Sequence, residues 1–193
     1  MVKRVFIVHG WEGTPDSDWY PWLEKMLAGR NFQVHVPNMP NTDQPHISVW
    51  VPYLSELVGK ADENTYFVGH SIGCQTILRY LESLEGDVKI GGAVFVAGWF
   101  HLTEESAETE TDKRIIEEWN GTPINFRAVK EHLDKSVAIF SDNDPYVPIS
   151  ESKIFENELG SEIIIHPKRG HFTLEDGVSE LHVALNEILK LAK

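Results

Sequence analysis

Apolar positions along this chain fall into short runs separated by stretches with helical spacing. The runs at residues 5–8, 32–36, 66–68, 93–97, 137–140 and 163–165 are too short for helices and rich in β-branched and aromatic residues, so they predict six strands. Between them apolar residues recur at three- and four-residue steps. That spacing predicts helices over residues 19–28, 49–58, 72–84, 148–159 and 178–191. Strands alternating with helices predict an α/β fold, a doubly wound and mostly parallel sheet with helices on both faces. No internal repeat or low-complexity tract breaks the 193 residues, which suffice for one core, so a single domain over residues 1–193 is expected.

One interval departs from the alternation. Residues 98–134 are longer than a simple crossover and hold two helical patterns, 111–119 and 126–133, separated by Asn120-Gly121-Thr122-Pro123. This predicts an insertion after the fourth strand. Trp99 and Phe100 leave that strand directly, and an apolar pocket walled by Trp11, Trp99 and Phe172 is expected beneath it.

The third strand runs into Gly69-His70-Ser71-Ile72-Gly73 and then an amphipathic helix. Strand, sharp turn and helix in this order form a nucleophile elbow, which lifts the Ser71 hydroxyl above the carboxyl edge of the sheet. The helix N-terminus behind Ser71 favours an anion, and an acyl-transfer transition state develops one. A serine nucleophile also needs a base, and the base needs an orienting acid. The fifth strand ends in a loop with two carboxylates, Asp142 and Asp144; the sixth ends near His166 and His171. His171 follows Gly170 in a loop, where an imidazole can be placed over the sheet edge, whereas His166 continues a strand. His171 is the predicted base. The backbone N–H groups of Ile72, after the nucleophile, and Trp11, in the loop His9-Gly10-Trp11-Glu12-Gly13, are the predicted oxyanion hole.

With these residues assembled, the chain resembles the small serine hydrolases of the YdeN and retinoblastoma-binding-protein type, a compact branch of the α/β-hydrolase superfamily. The resemblance spans nearly the whole length. It rests on His9-Gly10, Trp19-Tyr20-Pro21-Trp22, Pro37-Asn38-Met39-Pro40, the elbow, Asp144-x-x-Val147-Pro148 and Gly170-His171-Phe172. It implies a sheet order 2-1-3-4-5-6, a small lid formed by the insertion over residues 98–134, Asp144 rather than Asp142 as the acid, a Ser71-Asp144-His171 triad and no cofactor. The Leu-x-Cys-x-Glu motif associated with retinoblastoma binding is absent, so that partner is not expected.

Composition narrows the rest. A net charge of −13 argues against nucleic acid or an anionic membrane surface as partner. Part of it is local: Glu104, Glu105, Glu108, Glu110, Asp112, Glu117 and Glu118 face only Lys113 and Arg114, which reads as a solvated helix face or an electrostatic substrate filter. The N-terminus lacks a secretory apolar stretch, no run approaches the roughly 18 residues of a membrane span, and one cysteine cannot form an internal disulfide, so a cytoplasmic location is expected. Cys74 is expected to be a packed small residue. The nine histidines show no zinc-ligand spacing, so no metal site is expected. The expected activity is hydrolysis of small, short-acyl carboxylic esters, with thioester or amide cleavage by the same residues, or a non-enzymatic interaction protein on this fold, as alternatives.

Overall fold

The computed structural model describes residues 2–103 and 106–193; Glu104 and Glu105 of the acidic run lie outside the described residues. Six strands, β1 (Arg4–Val8), β2 (Gln33–His35), β3 (Thr65–His70), β4 (Gly92–Val96), β5 (Ser136–Ser141) and β6 (Glu162–His166), form one sheet in the order β2-β1-β3-β4-β5-β6. Every pairing is parallel, as the alternation with helices requires.

Both faces are buried, and the two-residue period of each strand divides its side chains between them. Val5 and Ile7 of β1, Val68 of β3, Val94 of β4 and Ile139 of β5 pack with Leu23 and Leu27 of α1 (Tyr20–Ala28) and with Leu185 and Ile188 of α7 (His182–Leu191). Phe6, Val8, Phe67, Phe95 and Phe140 face the other way, onto Trp50 and Leu54 of α2 (Ile47–Val58), Ile77 of α3 (Ile72–Glu82) and Val129 of α5 (Phe126–His132).

The interval after β4 divides in two. Helix α5 packs on α3 as the crossover into β5, whereas α4 (Glu110–Gly121) lies over the carboxyl edge of the sheet. Thr109 starts α4 with a reciprocal capping box: its hydroxyl accepts from the Asp112 amide, and the Asp112 carboxylate accepts from the Thr109 amide. Arg79 of α3 donates to the Trp119 and Thr122 carbonyls at the far end of α4, tying it to the elbow helix.

Two predicted helices begin well after their expected starts. Residues 148–159 form α6 (Glu151–Ile154) and a π-helical turn, Phe155–Leu159, because Pro148, Ile149 and Ser150 first spend their carbonyls on local turns. Helix α7 begins at His182 rather than at Val178, since the Val178 amide turns back to the Thr173 carbonyl and closes the loop that carries His171. No described helix is long and apolar enough to cross a membrane.

Candidate active site

The turn between β3 and α3 holds Ser71 at φ 53°, ψ −123°, a conformation L-residues rarely adopt and one that persists only when the surroundings enforce it. Its glycines provide the enforcement. A Cβ on Gly73 would lie 2.3 Å from the Val8 carbonyl oxygen, and one on Gly69 would lie 2.8 Å from the Cys74 Cα. Only bare backbone lets α3 dock this closely on β1 and β3. Gly73→Ala should therefore cost about 1–3 kcal/mol by overpacking. Denaturant titration checks this: a midpoint unchanged from the parent would show that the turn has slack.

Ser71 is 8% exposed, and its Oγ accepts a 3.3 Å hydrogen bond from Trp99 Nε1. That leaves the hydroxyl proton for another acceptor. The amides of Ile72 and Trp11, the two predicted oxyanion donors, have no hydrogen-bond partner among the described residues. Cys74 is buried in α3 with its thiol on the Val96 carbonyl, and burial pushes that thiol's pKa up, as expected of a packed residue.

At the ends of β5 and β6 the loops bring His171 to Asp144. His171 Nδ1 donates to Asp144 Oδ2 at 2.8 Å, and the Asp144 side chain is only 2% exposed. Its other oxygen accepts from the Tyr146 and Val147 amides at 2.9 and 3.0 Å, which fixes the carboxylate. Asp142 instead accepts from the Lys168 amide at 2.7 Å and bridges the two loops. His166 stays in β6, paired with Ser141.

Three further residues position this arrangement and were not singled out by sequence reasoning. Asp176 Oδ2 accepts from the amides of His171 and Thr173 and from the Thr173 hydroxyl, and a Cβ on Gly170, itself at φ 53°, would fall 1.9 Å from Asp176 Oδ1. His70 and Tyr20 link the loops from beneath. His70 Nε2 donates to the His171 carbonyl at 2.8 Å, so its Nδ1 accepts from the Tyr20 hydroxyl at 2.6 Å, and the Tyr20 oxygen in turn accepts from the Gly10 amide at 3.3 Å. One neutral tautomer satisfies all three contacts. Burial, reinforced by the His171 and His9 rings, lowers the His70 pKa to about 3, and burial raises that of Tyr20 well above its ordinary value. His9 is held similarly: Nδ1 donates to the Gly10 carbonyl, Nε2 accepts from the Met39 amide, and burial lowers its pKa although the Gly10 contact opposes this. The Gly-His-Ser-x-Gly spelling carried a faint signal for His70, since a histidine at the end of a buried strand must find partners on both ring nitrogens.

Above these residues lies a cleft of about 440 Å³ lined by Trp11, Ser71 and His171, with Leu102, Ile116 and Tyr146 as apolar wall. Two expected wall residues are elsewhere. Phe172, at φ 59°, turns down into the core with Val96 and Leu181 and is fully buried. Trp99 is also fully buried and is absent from the cleft lining, although its indole N–H reaches Ser71. The expected apolar pocket is instead a partly acidic one, because polar loops and the first turn of α4 supply much of its lining.

The serine hydrolase family model matches residues 5–189. YdeN, named as a hydrolase of Bacillus subtilis strain 168, is 31% identical over 183 residues, 95% of this chain and 93% of YdeN. Serine hydrolase RBBP9 of Rattus norvegicus is 24% identical over 80% of this chain and 77% of its own length. The crystal structure of the B. subtilis ydeN product superposes with a TM-score of 0.88 at 29% identity, covering 98% of both chains. Est1E of Butyrivibrio proteoclasticus, solved with ferulic acid, shares the fold with a TM-score of 0.74 at 14% identity, covering 99% of this chain and 90% of Est1E.

Proposed function

Because the chain belongs to the serine hydrolase family, we propose that it cleaves small carboxylic esters through Ser71, His171 and Asp144 by way of an acyl-enzyme. The observation that carries this reading is the 2.8 Å bond from His171 Nδ1 to a buried, doubly anchored Asp144, in a loop that opens onto the same cleft as Ser71. That bond commits Nδ1 as a donor and leaves Nε2 as the ring's acceptor.

His171 Nε2 takes the Ser71 proton as Oγ attacks the acyl carbon. Asp144 holds the tautomer and stabilises the imidazolium. The carbonyl oxygen becomes an oxyanion that accepts from the Trp11 and Ile72 amides, which are free to meet it. The tetrahedral intermediate collapses with cleavage of the bond to the leaving alcohol, which receives the proton from His171. Water then attacks the acyl-enzyme, again deprotonated by His171, and releases the acid and Ser71. Helix α4 acts as a lid in this reading, since Asp112 and Ile116 form part of the cleft wall. A cleft of about 440 Å³ favours a small substrate.

A fluorophosphonate probe tests this directly. The parent protein should be labelled on Ser71 and the Ser71→Ala variant should not, with labelling unaffected by EDTA. Failure to label the folded parent protein would favour a non-enzymatic role for the fold.

A further inference from the structure

The cleft is a ligand site on the strength of its nucleophile: Ser71, 8% exposed, lines it together with His171. What it admits is decided by its rim, and the rim has one sign. Glu12, Asp18, Glu108, Asp112 and Glu175 line the cleft, and its described lining contains neither Lys nor Arg. They come from four separate segments: the loop after β1, the approach to α1, the start of α4 and the loop after His171. Two have structural roles, Asp112 in the α4 capping box and Asp18 as acceptor for the Leu174 amide. The carboxylates of Glu12, Glu108 and Glu175 have no hydrogen bond or ion pair among the described residues. Nothing in the packing requires acids at these exposed positions.

We propose that this cleft selects cationic substrates, small carboxylic esters bearing an ammonium group; the proposal rests on the serine hydrolase reading above. The first turn of α4 supplies only about half a positive charge. Five carboxylates around one concave site outweigh it, and a cleft lined by one sign of charge focuses its field on the entering ligand. A substrate ammonium gains from that field throughout its approach, whereas an anionic ester meets repulsion from every side. The acidic run of α4 thus divides: Glu108 and Asp112 face the cleft, while Glu110 pairs with Lys113 outside it.

The test uses three p-nitrophenyl esters of nearly equal shape: a trimethylammonio-butyrate, its neutral tert-butyl isostere and a sulfonato-butyrate. At low ionic strength kcat/KM for the cationic ester should exceed that for the neutral one by at least about tenfold, chiefly through KM, and the sulfonate should be slowest. Added salt should compress the ratio. Glu108→Gln combined with Glu175→Gln should reduce that ratio at low ionic strength, with far-UV circular dichroism unchanged. Equal rates on all three esters, or a preference for the sulfonate, would overturn cation selection and leave the hydrolase reading intact. A protein labelled at Ser71 that hydrolyses none of the three would also overturn it. No turnover together with no labelling would remove the hydrolase reading itself.

Discussion

Ser71→Ala should lower kcat on a turned-over ester by roughly 10⁴ to 10⁶-fold, and His171→Ala by a similar factor, because the members of such a unit lose their effect together. Asp144→Asn should cost somewhat less. An amide in place of the carboxylate can still accept from the Tyr146 and Val147 amides, yet it can reverse the polarity at His171 Nδ1 and favour the wrong tautomer. Asp142→Asn should be nearly silent, since an amide oxygen can still accept from the Lys168 amide. Far-UV circular dichroism should be unchanged in all four variants. The decisive comparison is between the two aspartates: a large loss in Asp142→Asn with none in Asp144→Asn would assign the acid wrongly. Adding Ser71→Ala to His171→Ala should produce little further loss, the signature of groups that act as one.

Stability should fall in mild acid, with His70 as a main cause. Burial sets its folded-state pKa at about 3, against an ordinary value of 6.5 in the unfolded chain. Below 6.5 the unfolded chain takes up a proton that the folded protein refuses, so unfolding gains. The contribution is fully present above pH 6.5 and declines as pH falls towards 3. At 1.36 kcal/mol per pKa unit, the loss across that window is on the order of 5 kcal/mol. That is comparable with the whole stability of many domains. His9, also lowered by burial, acts with the same sign. A proton on His70 Nδ1 would meet the Tyr20 hydroxyl proton, which would have to turn away from the ring. Denaturant midpoints measured through this pH range should decline, and His70→Gln, which cannot take a proton, should decline less steeply. Equal slopes in the two proteins would mean that other groups control acid unfolding.

Much of the architecture was legible in the residues themselves. The two-residue alternation in Val5-Phe6-Ile7-Val8 already divides the core between two faces, and a backbone that must satisfy its hydrogen bonds between buried strands leaves few ways to arrange six of them. The elbow was readable because its chemistry is local: two glycines flank one serine within five residues. Asp144 and His171 could be placed at strand ends by order alone, but their contact spans 27 residues of sequence and depends on Asp176, Gly170 and His70 holding a loop in one pose.

Other features required the folded molecule. Whether Trp99 and Phe172 wall the cleft depends on the direction of each side chain, and an apolar residue at a loop end gains more by entering the core than by facing a polar cleft. Phe172 does so at φ 59°, a backbone reversal that nothing in its identity announces. The end points of α6 and α7 likewise depended on where distant carbonyls were spent. Composition alone recorded an excess of negative charge; only the tertiary structure collected Glu12, Glu108 and Glu175 around one opening, because like charges far apart in sequence share a field only when the fold brings them to a common surface.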